Sequence, residues 1–330
     1  MIKGLLWSIE KCIVRFTVLL LKAGDGVLIG GQAVFEGVMM RSPRSYSIAV
    51  RKPDQSIVTK RDYLPHAAER QRVFKLPVIR GVATLGQAFT LGVRALKFST
   101  DQVLLSRLAQ SGKREETAEI SPWMMAVNIF VAIFFFVLLF KWLPLAITSQ
   151  LKQHFDSLSN SILFSLVDGM IRLVIFLTYI FSISKLKDIR RLFEYHGAEH
   201  KVVFTYEARE ELSVENARKH STLHPRCGTS FLMVVMLTST FVYAFIPFDS
   251  FSLKLLSRVV LIPLIAGISY EIIRFAAKHE NVLLNLITLP GLWLQRVTTK
   301  EPSDDQLEIA IRALDEAVFL ENSDRQLAVI

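Results

Sequence analysis

Apolar residues gather into four long runs in the middle and later part of the chain. The first, Trp123 to Ile147, has Lys141 as its single charge, and the second, Ser161 to Ile183, carries Asp168 and Arg172. The third, Thr229 to Ile246, is uncharged. The fourth, Ser257 to Ala277, has Arg258 near one end and Glu271 and Arg274 near the other. A helix crosses the hydrocarbon of a bilayer with roughly 20 apolar residues at about 1.5 Å each. The pattern therefore predicts a membrane α-helical protein with about four transmembrane helices. Asp168 and Arg172 stand four apart, so they share a helix face on which each can neutralise the other. Such a pair either locks the bundle internally or marks a functional ion in the bilayer.

Outside these runs the period changes. Leu5–Leu21 is apolar but broken by Glu10, Lys11 and Arg15, with no small-residue cleavage site after it. It predicts an amphipathic helix in the cytoplasmic interface rather than a signal peptide. Val78–Leu105 predicts a second one, with Gly81 and Gly92 thinning one face and Arg80, Arg94 and Lys97 within reach of lipid phosphates. Between them, Tyr46–Val50 and Ile57–Tyr63 alternate with period two around a turn at Pro53-Asp54-Gln55, which predicts a hairpin. Val34–Met40 is a further candidate strand. From about Lys300 the chain reads as a helix whose start, Ser303-Asp304-Asp305, suits a cap and the positive end of the helix dipole. The organisation is then a small cytoplasmic α+β region with amphipathic helices (1–122), a four-helix membrane region (123–277) interrupted by a cytoplasmic loop (184–228), and a cytoplasmic helical tail (278–330).

Charge adds an orientation. The chain of 330 residues has a formal net charge of +9, and residues 41–122 hold 15 Lys and Arg against 7 Asp and Glu. The segment 184–228 holds nine basic residues, whereas the connections 150–160 and 248–256 hold one lysine each, Lys152 and Lys254. By the positive-inside rule both termini and the central loop face the cytoplasm, as in a multi-pass protein of the inner, cytoplasmic membrane. The expected partners are membrane lipids with anionic headgroups, and no nucleic acid. Composition agrees: 51% hydrophobic residues and 23 Phe against 15 Gly exclude a disordered or fibrous chain. Two cysteines, Cys12 and Cys227, cannot build a disulfide framework.

Four of the seven histidines fall in the central loop: His196, His200, His220 and His224. His196-Gly197-Ala198-Glu199-His200 has the order H-x-x-E-H. On a helix its imidazoles share a face, and its glutamate is placed to activate a water on a bound metal. His224-Pro225-Arg226-Cys227 adds an imidazole and a thiol. Together His196, His200, His224 and Cys227 would close a tetrahedral structural site, with His220 as a substitute for His224. If one of them stays out, a position remains open for catalysis. Zinc is the first expectation, with iron or manganese as alternatives. The competing reading is a loop whose histidines bond to backbone or lipid. The glycine-rich stretch 30–41 lacks any phosphate-loop spacing. Its glycines permit close approach or positive φ, and Glu36 and Arg41 are its polar groups, in support or substrate contact. Glu271 is either a ligand or base, or simply paired with Arg274.

These motifs resemble the bacterial YqhQ-like family, a domain-of-unknown-function family (number 1385). The resemblance rests on GGQAVFEGVMMR at 30–41, YHGAEHK at 195–201, LHPRCGTSF at 223–231, GISYEIIRF at 267–275 and PGLWLQRVTTKEP at 290–302. It implies metal-dependent enzyme chemistry but no substrate. The expectation is a metal-dependent membrane enzyme, a hydrolase at the cytoplasmic interface, with Glu199 as general base and Glu36, Arg41, Arg226 and Glu271 in supporting or substrate roles. The alternative is a non-catalytic scaffold or assembly factor with a structural metal site. A transporter built on Asp168 and Arg172 stands third, and the lack of a detectable repeat argues against it.

Overall fold

The computed structural model describes residues 29–64, 76–110, 121–225, 227–246, 248–278 and 282–327. The expected interfacial helix at Leu5–Leu21, Cys12 and Arg226 lie outside them. Four strands form an antiparallel meander in chain order: β1 (Gly30–Val34), β2 (Gly37–Arg41), β3 (Ser45–Arg51) and β4 (Ile57–Tyr63). The expected hairpin joins β3 to β4, with Val50 opposite Val58. The single strand expected over Val34–Met40 is instead two, because the chain reverses at Phe35-Glu36 and pairs Val34 with Gly37. Glu36 takes the left-handed conformation there (φ 52°), and its carboxylate is held by Arg191.

Eleven helices are described after the sheet. α1 (Ile79–Gln110) is followed by α2 (Pro122–Val137), which passes through a π-helical turn at Leu138–Trp142 into α3 (Leu143–His154). α4 (Ser161–Ile183) returns, and α5 (Lys187–Glu207) and α6 (Val214–Lys219) occupy the central segment. α7 (Gly228–Ala244), α8 (Phe251–Val260), α9 (Ile262–Lys278), α10 (Val282–Thr298) and α11 (Asp304–Leu327) complete the chain.

Alternation along the strands gives the sheet two apolar faces. Tyr46, Ile48 and Val50 pack with Val34 and Met39 on Leu91 and Ala95 of α1. On the other face Val38, Met40 and Ala49 meet Ala198 and Val202 of α5 and Ala310, Ala313 and Leu314 of α11. Ser45 and Ser47 point the same way and donate to the carbonyls of Ala317 and Ala313, each at 2.8 Å. The N-terminal strands, the central segment and the C-terminal helix thus share one core.

Among the described residues two helices are long and apolar enough to cross a membrane, Trp123–His154 (α2 through α3) and Ser161–Ile183 (α4). A third crossing is reached if α8 and α9 count as one span, bent by 50°. The bend falls just before Pro263, which has no N–H for the Val259 carbonyl one turn back. The π-helical turn also lies just before a proline: Pro144 has no N–H for the Phe140 carbonyl, the Leu143 N–H reaches back to the Leu138 carbonyl, and Lys141 within the turn is buried. α7 is apolar but has only 17 residues, about 25 Å of helix. Along α2, Trp123, Phe130, Phe134 and Phe135 are exposed, a contiguous apolar surface of the kind that water disfavours.

The ion pairs are mostly long-range. Asp168 pairs with Arg172, as the spacing predicts, and also with Arg258 of α8 at 2.7 Å. Glu271 does not take Arg274 as its salt-bridge partner. Arg80 of α1 donates through Nε at 2.7 Å and through Nη2, so that cation is directed to α9 rather than to lipid phosphates. Lys97 likewise bonds Asp101 at 2.7 Å.

Candidate functional site

α5 presents His196 and His200 on one face, their rings 4.4 Å apart. Each ring is fixed through Nδ1. His196 Nδ1 lies 2.8 Å from the Thr298 carbonyl and His200 Nδ1 lies 2.5 Å from the Thr222 carbonyl. A carbonyl only accepts, so both Nδ1 atoms are the protonated donors, and in the neutral form of each ring Nε2 keeps its lone pair. His196 Nε2 is 3.2 Å from the sulfur of Cys227. His200 Nε2 is buried with no hydrogen-bond partner. Ligand atoms of His196, His200 and Cys227 all fall within 4.8 Å of one another.

Cys227 is the N-cap of α7, and its sulfur also accepts from the Thr229 N–H (3.5 Å) and hydroxyl (3.3 Å). His224 stands beside this trio rather than in it. Its ring is 5.6 Å from that of His200 and 4.4 Å from Phe204, and its Nε2 is 3.5 Å from the Glu207 carboxylate. His220 bonds Glu210 at 3.0 Å instead.

Glu199 faces the same cavity, a space of about 370 Å³ walled by the β1 backbone from Ile29 to Ala33, by α5 and by the start of α7. The Glu199 carboxyl is buried, and its Oε2 has no hydrogen-bond partner. Burial raises its pKa, against the opposing pull of His196, His224 and the Gly31 N–H. Burial also lowers the His200 pKa and brings that of His224 down to about 4. Both imidazoles are therefore neutral at neutral pH, the form that ligates metal.

Two glycines let these segments meet. A Cβ at Gly31 would collide with the Met39 carbonyl and come within 3.3 Å of the Glu199 carboxyl carbon. A Cβ at Gly197 would strike the Lys300 carbonyl, and that close approach brings the Thr298 carbonyl to His196. Lys201 fastens the next layer, donating to the Arg218 and His220 carbonyls (3.0 and 2.8 Å) and pairing with Glu301 at 2.7 Å.

The remaining predicted residues lie elsewhere. Glu36 is bound by Arg191 at 2.5 and 2.6 Å and approached by the Tyr195 hydroxyl at 3.3 Å. Arg41 ends β2 with Tyr270 near it, its pKa lowered by burial. Glu271 is engaged by Arg80. None of these three lines the cavity. The residue not anticipated from sequence is Gln295 of α10, whose amide accepts from the His224 N–H (2.8 Å) and donates to the His224 carbonyl (2.9 Å). A glutamine directly after the apolar run Leu292-Trp293-Leu294 is the sequence signal that marks it.

Most of the chain is shared with known sequences. The model of a family described as "Protein of unknown function (DUF1385)" matches residues 76–319. The chain belongs to this family. It is also 35% identical over 302 residues to a protein of Bacillus subtilis (strain 168) described as "Uncharacterized protein YqhQ", covering 90% of this chain and 94% of that one. No solved structure matches. The family description carries no activity, so any chemistry must be argued from the site.

Proposed function

We propose that this chain is an integral protein of the cytoplasmic membrane that holds a divalent metal at its cytoplasmic face and hydrolyses an ester or peptide bond presented at that interface. One observation carries the reading: the buried, unbonded Glu199 oxygen shares a 370 Å³ cavity with three converging ligand atoms. Two imidazoles and a thiol are a borderline-soft donor set, which favours zinc over iron or manganese. Backbone carbonyls on both Nδ1 atoms are the outer support that metal-binding histidines use. Three protein ligands leave a fourth position open, as catalysis requires.

In this reading His196, His200 and Cys227 would hold the ion, which would supply Lewis acidity and ease the loss of a proton from water. Glu199 receives that proton on its free oxygen and returns it to the leaving group. Burial raises its pKa, and a base tuned upward is suited to both steps near neutral pH. The Gly31 N–H holds the carboxyl at the cavity wall.

The proposed topology has four crossings: α2 through α3, α4, α7, and the bent α8–α9 pair. α7 is short, but it packs against α4, α9 and α10 and turns Leu237 and Phe241 outward. The basic 41–122 and 184–228 segments then face the cytoplasm and anionic headgroups, together with both termini.

A structural metal site in a scaffold is the second reading. It is favoured by the way His196 and His200 tie α5 to two distant segments at Thr298 and Thr222. Metal content by mass spectrometry on detergent-purified protein, wild type beside His200→Ala, tests both. About one ion per chain, lost in the variant, is expected, and a folded wild type without metal overturns both. Glu199→Gln then separates them: in the enzyme it keeps the metal and abolishes complementation of a strain lacking the gene, and in the scaffold it is tolerated.

A further inference from the structure

The end of the bundle away from the His–Cys cavity buries more positive charge than its carboxylates balance. Lys141, Arg172 and Arg258 are each at most 6% exposed, and Asp168, at 0%, is the single buried acid among them. Asp168 divides itself between Arg172 and Arg258. All three cations pack on one ring, with the Tyr243 centroid 5.5 Å from Lys141 Nζ, 5.0 Å from Arg172 Cζ and 4.9 Å from Arg258 Cζ. Lys141 donates to the Tyr243 hydroxyl at 3.0 Å, and Arg172 donates through Nη1 to Ser239 at 2.5 Å. The Arg172 Nε is buried with no acceptor. Two guanidinium groups, which stay charged, thus face one carboxylate with Lys141 packed beside them, a state that burial penalises unless an anion completes it.

A small cavity of about 30 Å³ leads from this cluster to the helix ends. Its lining includes the buried Arg258 and Tyr243, Ser165 and Ser257, and the half-buried Lys152 and Lys254, while Lys141 and Arg172 stand behind it. Lys254 lies over the Phe164 ring at 4.4 Å, which directs its ammonium along the wall. Asp249, exposed on the rim, is the one carboxylate that lines it. The space suits a compact group rather than an extended ligand. Guanidinium, ammonium and hydroxyl donors around it match a tetrahedral oxyanion.

We infer that this cavity is a binding site for an anionic phosphate group, carried either by a lipid headgroup or as free phosphate. Its place at the helix ends is the depth at which headgroups lie in a bilayer. α7 begins beside the His–Cys cavity at Gly228 and reaches Tyr243 fifteen residues later, about 22 Å along its axis, so the two sites are separate. The headgroup source rests on the membrane reading above. The phosphate chemistry does not.

The test uses the full chain in detergent, with lipid retention counted by native mass spectrometry and thermal unfolding followed beside it. The probes are dioleoyl phosphatidylglycerol, dioleoyl phosphatidylcholine and inorganic phosphate, with chloride at matched ionic strength as control. The variant is the double change Lys152→Gln with Lys254→Gln, which leaves the buried cluster intact. Preferential retention of phosphatidylglycerol, reduced about tenfold in the variant, identifies a headgroup site. Stabilisation by inorganic phosphate beyond chloride, lost in the variant and without lipid preference, identifies free phosphate. Equal retention of both lipids with no phosphate effect overturns the inference, as does any retention or stabilisation that the variant leaves unchanged. An unaltered metal content in the variant keeps the result independent of the His–Cys site.

Discussion

His196 and Cys227, thirty-one residues apart in sequence, meet with Nε2 3.2 Å from Sγ. The contact exists because three chain segments converge on one turn of α5. The residues that permit that convergence are as open to test as the contact itself.

Gly197 is the tightest of them. A methyl group there meets the Lys300 carbonyl and the Thr222 side chain, the two segments whose carbonyls orient the imidazoles. Gly197→Ala should cost about 1–3 kcal/mol through overpacking and should lower the metal content. Thermal unfolding and metal analysis of the same preparation check both halves.

Gln295 serves both backbone groups of His224 in a buried setting. Gln295→Met leaves an N–H and a carbonyl unsatisfied, at about 1–3 kcal/mol for each group. Gln295→Glu keeps an acceptor for the N–H and loses the donor to the carbonyl, so its unfolding temperature should fall between those of the wild type and Gln295→Met.

Asp168 balances two arginines at once. Asp168→Asn leaves both guanidinium groups without their counter-charge and should cost about 3–5 kcal/mol. Adding Arg258→Met removes one orphaned cation and should recover part of that loss in detergent-phase unfolding.

Arg80 and Glu271 join α1 to α9, with side chains 31% and 22% exposed. Exposure screens the pair, and a double-mutant cycle with Arg80→Gln and Glu271→Gln should give a small but measurable favourable coupling. A coupling near zero would show that α1 is held by its apolar contacts alone.

What was legible in the sequence was local or periodic. The i, i+4 spacing brought His196 and His200 to one face, and period two marked β3 and β4. Local reasoning failed where a partner came from afar. Glu271 took Arg80, 191 residues away, over its neighbour Arg274, because a bidentate guanidinium fits a carboxylate better than a chance i+3 contact. The turn at Phe35-Glu36 was hidden because its left-handed residue is a glutamate, held there by Arg191. The Gly31 N–H, the Thr298 carbonyl and the Thr222 carbonyl are backbone groups, which no side-chain pattern announces. Pro263 and Pro144 did carry a readable signal, since each removes the N–H that a straight span would need.

The shared core of β2, β3 and α11 has a consequence for the order in which the molecule can be completed. A ribosome makes the sheet before its covering helix, with the four long apolar runs emerging in between. Val38, Met40 and Ala49 must therefore wait, uncovered by α11, while the hydrophobic helices are synthesised. Contacts of such long sequence separation form late and slowly. A chain that stopped before Asp304 would retain every candidate metal ligand and yet leave that face of the sheet without its lid.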